Sequence, residues 1–88
     1  MANTLQVEVV SPEKVLFTGT ATMIVTRTLG GGDIAFMAGH QPFLAALADG
    51  RTKVFLEGGG MQAIDVHGGF VSVDGKRVTI LSDAAELA

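Results

Sequence analysis

Few side chains in this sequence could do chemistry. His40 and His67, with Asp33 and Asp65, are the imidazoles and carboxylates from which a metal site could be assembled. A structural zinc site needs about four donors converging on one point, and its ligands usually come in short paired spacings. These four residues follow no such spacing, and the chain has no cysteine. No metal is expected, and both histidines are read as local hydrogen-bonding or interface groups. Nucleophilic catalysis has as little support. The three serines, Ser11, Ser72 and Ser82, lie in no Gly-x-Ser-x-Gly elbow. Asp49 and Glu57 are more simply a solvated turn and a strand edge than an acid–base pair. The run Gly30-Gly31-Gly32-Asp33 has the composition of a phosphate loop. Such loops feed a helix whose first amides face the anion. Here a strand-like segment follows, with no Gly-Lys-Ser/Thr triplet, so no nucleotide or other cofactor is expected.

The elements that position these residues are short strands. Leu5 to Val9 alternates apolar and polar with period two, the pattern of a half-buried strand. Ser11-Pro12-Glu13-Lys14 is a turn, and Val15-Leu16-Phe17 a short strand ending at Gly19. Thr20 to Thr28 is rich in β-branched residues, which suit a pleated sheet and crowd a helix. Gly30 to Asp33 reads as a loop, Ile34 to Met37 as a strand, and Gly39-His40-Gln41-Pro42 as a turn. Phe43 to Ala48 has helix-favouring Leu and Ala, but is short and closed by Asp49-Gly50, so it is read as a strand. Arg51–Glu57 and Met61–His67 flank Gly58-Gly59-Gly60 as a hairpin. Phe70–Val73 and Arg77–Leu81 flank Asp74-Gly75 as a tighter one. The tail from Asp83 to Ala88 is expected to form a helical turn capped by Ser82 or Asp83. The sum is an all-β domain: a two-sheet sandwich of about eight to ten short strands over residues 1–88.

Composition narrows the function classes. The chain has 88 residues, enough for one domain with a modest core. Six basic residues against nine acidic ones give a net charge of -3, with no basic cluster for a nucleic-acid backbone. There is no Tyr or Trp, and the five Phe lie in apolar runs that suit a core better than base stacking. The longest apolar stretch, Ile34 to Ala48, is broken by Gly39 to Pro42 and is shorter than the roughly 20 residues of a membrane-spanning helix. The start of the chain shows no signal-peptide pattern, so a cytoplasmic setting is expected. At 48%, the apolar fraction is high for so small a soluble domain, and partners are expected to cover any excess apolar surface.

Three stretches carry a family resemblance. Leu5-Gln6-Val7-Glu8-Val9-Val10-Ser11-Pro12, continuing through Val15-Leu16-Phe17-Thr18-Gly19, is similar to the opening of ATP synthase epsilon subunits. Gly32-Asp33-Ile34-Ala35-Phe36-Met37-Ala38-Gly39-His40-Gln41-Pro42-Phe43-Leu44 resembles that family's acidic residue, apolar strand and Gly-His-x-Pro motif. His67-Gly68-Gly69-Phe70-Val71-Ser72-Val73, continuing through Val78 to Ala85, is similar to its Gly-Gly-Phe hairpin and closing strand. Ala35 stands where the family usually has Gly, and Ala38 where it usually has Pro. The resemblance implies the N-terminal β-sandwich of a non-catalytic rotor subunit, without the family's C-terminal helical hairpin and so without ATP binding. The implied partners are the gamma subunit and the polar loops of the c-ring. The implied place is peripheral, on the cytoplasmic face of the energy-coupling membrane, with no membrane insertion and no nucleic acid. By motif position, Gly31, Gly32 and Asp33 would face the c-ring, and Ser11, His40, Ala45 and His67 the gamma subunit. Two other classes stay open from the residues alone: a free-standing sandwich that binds a small ligand, and a small metal-dependent enzyme domain.

Overall fold

The computed structural model describes residues 4–88, the side chains of His40 and Gln41 apart. Nine strands follow one another: β1 (Leu5–Val10), β2 (Val15–Thr28), β3 (Gly32–Met37), β4 (His40–Ala46), β5 (Gly50–Leu56), β6 (Met61–His67), β7 (Phe70–Gly75), β8 (Arg77–Leu81) and β9 (Ala84–Leu87). They hydrogen-bond in the order β4-β7-β8-β1-β2-β5-β6-β9, with β3 also on β2. The all-β sandwich expected from the sequence is present.

β2 explains how one hydrogen-bonded path becomes two layers. Its first half pairs with β1, from Val15 opposite Val10 to Ala21 opposite Leu5. Its second half pairs with β3 and with β5. A straight strand of 14 residues would span roughly 43 Å, yet the molecule's longest extent is 35 Å. The strand therefore bends, and the β5 pairing shifts register between Ala21 and Met23. One layer holds β4, β7, β8, β1 and the first half of β2. The other holds β3, the second half of β2, β5, β6 and β9.

Alternate residues of both layers point inward, as period-two patterning requires. Leu5, Val7, Val9, Val71, Val73, Val78 and Ile80 from one layer meet Ile24, Phe36, Val54, Ile64 and Val66 from the other in a single buried cluster. The rings of Phe36 and Phe43 lie 5.4 Å apart at 44°, linking β3 to β4 across the layers. Two hydroxyls are buried in this core, Thr26 and Thr52, and their oxygens lie 2.8 Å apart in a mutual hydrogen bond. That pairing offsets the cost of taking both out of water.

Several sequence expectations need correction. Gly19 does not end a strand; β2 runs through it, because Phe17's ring occupies the space where a Cβ would sit, 2.9 Å away. The loop at Gly30 is shorter than expected, and Gly32 and Asp33 already belong to β3. The turn before β4 ends at Gly39, whose φ of 87° suffices to reverse the chain. Pro42 then lies within β4, where the β7 pairing shifts register between His40 and Phe43. The tight hairpin turns at Gly75 and Lys76, one residue later than expected, with Asp74 opposite Arg77. The tail forms no helical turn. Ala84–Leu87 is a strand against β6, and sheet hydrogen bonds satisfy its backbone where one isolated helical turn could not.

Candidate interaction site

The β2–β3 hairpin ends in a tip at Leu29, Gly30 and Gly31. Gly30 and Gly32 take φ of 79° and 70°, which closes the turn without a steric penalty. Thr28 supports the tip from beneath: it is buried, and its hydroxyl donates to the Gly32 carbonyl at 3.1 Å. Just behind the tip, Arg27 of β2 lies directly opposite Asp33 of β3. Arg27 Nε donates to Asp33 Oδ1 at 3.0 Å. This bond holds the Asp33 carboxyl below the usual aspartate range and raises the guanidinium's pKa. A parallel pair stands nearby, where Arg51 Nε donates to Asp65 Oδ1 at 2.9 Å, with the same consequence for Asp65.

The tip is tied to a corner where three connections cross between layers. Leu29 N–H donates to the Ala46 carbonyl, and Leu47 N–H to the Gly69 carbonyl. Gly69 has φ of 105°, and a Cβ there would lie 1.9 Å from the Leu81 carbonyl oxygen. Ser82, buried at this crossing, donates its hydroxyl to the Ala84 carbonyl at 2.6 Å, with the Gly68 carbonyl 3.2 Å away. His67 precedes the crossing, exposed, with Nδ1 4.0 Å from Asp49 Oδ2.

The outer face of the first layer carries an apolar row. Ala46 pairs with Phe70, Phe70 with Leu81, Leu81 with Val10, and Val10 with Val15. Phe70, Leu81 and Val15 are each more than half exposed, and Leu44, the next outward residue along β4, is 71% exposed. Apolar surface this contiguous is unusual on a domain that works alone. A shallow hollow of about 360 Å³ lies alongside the middle of the row, between Phe70 and the Ser11-Pro12 turn. A second apolar row, formed by Met37, Met23, Phe55 and Met61, crosses the outer face of the other layer.

The residues singled out from the sequence fall in different places. Gly31, Gly32 and Asp33 are together at the tip. Ser11 borders the apolar row, and His67 lies at the same end of the sandwich. Ala45 is partly buried and packs against the core. The backbone of His40 pairs with Gly75 at the opposite end, about 20 Å along β4 from Ala46; its side chain lies outside the described residues. Ser11, Ala45, His40 and His67 therefore do not form one patch. Sequence reasoning missed Arg27, Phe70 and Leu81. Hairpin arithmetic was the available signal: a turn centred on Gly30 sets Arg27 opposite Asp33, and one at Gly75-Lys76 sets Phe70 opposite Leu81. Among the described residues, no group of three His, Cys, Asp or Glu is placed to hold a metal ion. Among the described residues, no helix is long and apolar enough to cross a membrane.

A hairpin tip braced at a corner thus stands beside a solvent-facing apolar row. Comparison with known proteins places it. Residues 4–88 match the family described as the β-sandwich domain of the ATP synthase delta/epsilon chain. The chain belongs to the ATP synthase delta/epsilon family. It is 41% identical over 88 residues to the ATP synthase epsilon chain of Streptomyces griseus, spanning all of this chain and 70% of that one. It is 42% identical over 83 residues to the epsilon chain of Micrococcus luteus, spanning 94% of this chain and 90% of that one. Among solved structures, a chain of the Euglena gracilis mitochondrial ATP synthase, in an assembly that includes the c-ring, superposes with a TM-score of 0.88 at 26% identity. That match covers 99% of this chain but only 54% of the Euglena chain. A chain from the Tetrahymena thermophila mitochondrial ATP synthase shares the fold, with a TM-score of 0.70 at 17% identity. The epsilon resemblance of the three sequence stretches thus extends over nearly the whole chain.

Proposed function

We propose that this delta/epsilon-family chain is a non-catalytic rotor subunit of an F-type ATP synthase. It fastens the gamma subunit to the c-ring, so that proton-driven rotation reaches the sites of ATP synthesis. The observation that carries this reading is the pairing of two unlike surfaces on one rigid frame. The apolar row of Phe70, Leu81, Val10 and Val15 offers a protein-docking face, and the tip at Gly31, Gly32 and Asp33 offers a polar contact. In this reading the apolar row, with Ser11 at its border, takes the gamma subunit, and the tip takes the polar loops of the c-ring. His67, at the end shared by tip and row, joins the gamma-facing side; His40, at the opposite end of β4, and Ala45, packed against the core, rest on motif position alone. The subunit sits peripherally, on the cytoplasmic face of the energy-coupling membrane. A domain that only transmits torque requires neither ATP nor a metal.

Calorimetry with purified gamma subunit from the same source tests the reading. Saturable one-to-one binding is expected. Phe70→Asp should weaken it at least tenfold while leaving the circular-dichroism spectrum unchanged, because a charge in a desolvated apolar contact is costly. A folded chain that binds no gamma would overturn the assignment.

A further inference from the structure

The tip presents more than a carboxylate. Asp33 is bonded by Arg27, so any partner approaching this surface meets a joined positive and negative pair. We infer that Arg27 is the second recognition residue of the tip, and that the c-ring loop is read by the Arg27–Asp33 pair as a unit. This inference rests on the rotor reading above.

Three observations carry it. First, the pair is set by sheet register, since Arg27 and Asp33 are direct cross-strand partners; it does not depend on two free side chains meeting by chance. Second, the stem of Arg27 is seated on a glycine. An added Cβ at Gly50 would lie 3.3 Å from Arg27 Cβ and 3.4 Å from its Cδ. Gly50 therefore leaves the stem room to lie flat across β5, and Asp33 holds its other end. The order is in place before a partner arrives, so less side-chain entropy is lost on binding. Third, only Nε of the guanidinium is used within the chain among the described residues. Its two terminal nitrogens keep their N–H donors for a planar acceptor, while Asp33 Oδ2 is left to accept.

The partner chemistry follows. The fitting surface is a polar loop carrying an acceptor, either a carboxylate or a free backbone carbonyl, beside a donor such as a basic or amide side chain. A loop that is only basic would be drawn to Asp33 and repelled by Arg27. A purely basic partner therefore fits less well than a mixed one.

The test uses the complex of this chain with its gamma subunit, titrated onto purified c-ring from the same source in detergent. Asp33→Ala and Arg27→Ala should each weaken binding about tenfold, with thermal unfolding little changed because the pair is exposed. Gly50→Ala keeps every charge but pushes the Arg27 stem aside, and should weaken binding three- to fivefold. The exchange Arg27→Asp with Asp33→Arg can re-form the internal ion pair while reversing what the partner meets. It should bind as weakly as the single variants. Binding of Arg27→Ala equal to wild type, or recovery in the exchanged variant, overturns the inference and leaves the rotor reading standing. A wild-type complex that does not bind c-ring at all overturns both.

Discussion

At the scale of single residues, two arginines and two aspartates act in pairs. Arg27 bonds Asp33, and Arg51 bonds Asp65, each through Nε and one carboxylate oxygen. Both carboxyls are held below the ordinary aspartate value of 3.8, first by the guanidinium hydrogen bond. A carboxylate whose pKa is lower when folded than unfolded stabilises the fold above its unfolded pKa. That contribution falls away as pH drops through the lowered folded value. Thermal unfolding followed from pH 7 to pH 2.5 should therefore show a modest fall in Tm on the acid side. Asp33→Asn combined with Asp65→Asn should flatten that fall. The effect is small because the pairs are largely exposed, and high salt should reduce it further. An acid limb unchanged in the double variant would show that other carboxylates dominate.

Elements depend on the corner where chain segments cross between layers. Gly69 is its tightest point. A methyl group there meets the Leu81 carbonyl at 1.9 Å, in a backbone conformation that side chains rarely adopt. Gly69→Ala should cost about 3 kcal/mol, from overpacking and positive-φ strain together. Urea denaturation would measure it, and a loss below 1 kcal/mol would mean the crossing is more pliable than its geometry implies. Gly75→Ala is the control: its φ is also positive, at 62°, but it faces open space, so it should cost less.

The legibility of the sequence follows the same geography. Strands with clean alternation, such as Leu5–Val10 and Phe70–Val73, were readable because each buries one face. β2 was not readable as one strand. Gly19 resembles a breaker until Phe17's ring is known to fill its missing side chain, and that is a packing fact. The tail was misread for a similar reason. Ala, Glu and Leu favour helix locally, but the free edge of β6 offers Ala84–Leu87 a full set of hydrogen bonds. The tip was legible as glycine and acid; its arginine was not, because Arg27 lies six residues upstream and meets Asp33 only through register. The apolar row was hidden for the same reason. Its members come from five strands, and no stretch of sequence shows them together.

For the molecule as a whole, the two layers share one core and one strand. The Phe36–Phe43 contact joins them, and residues from both layers fill a single buried cluster. Phe36→Ala should remove about 3–5 kcal/mol, a large share of the roughly 5–15 kcal/mol available to a small domain. Because neither layer has a core of its own, the loss should lower one cooperative transition and not split it into two. Circular dichroism and amide hydrogen exchange should report the same midpoint. Two resolved transitions would mean that one layer can stand alone.

The shared strand also has a mechanical meaning. β2 carries Val15 of the apolar row at one end and Thr28, beneath the tip, at the other. A pull applied between Val15 and Thr28 runs along the covalent backbone of a single strand. The hydrogen bonds to β1, β3 and β5 lie across that line and hold the strand in its bent course. A bent tie-rod of this kind couples the two layers through its own backbone, so that neither can slide past the other without breaking pairings along β2.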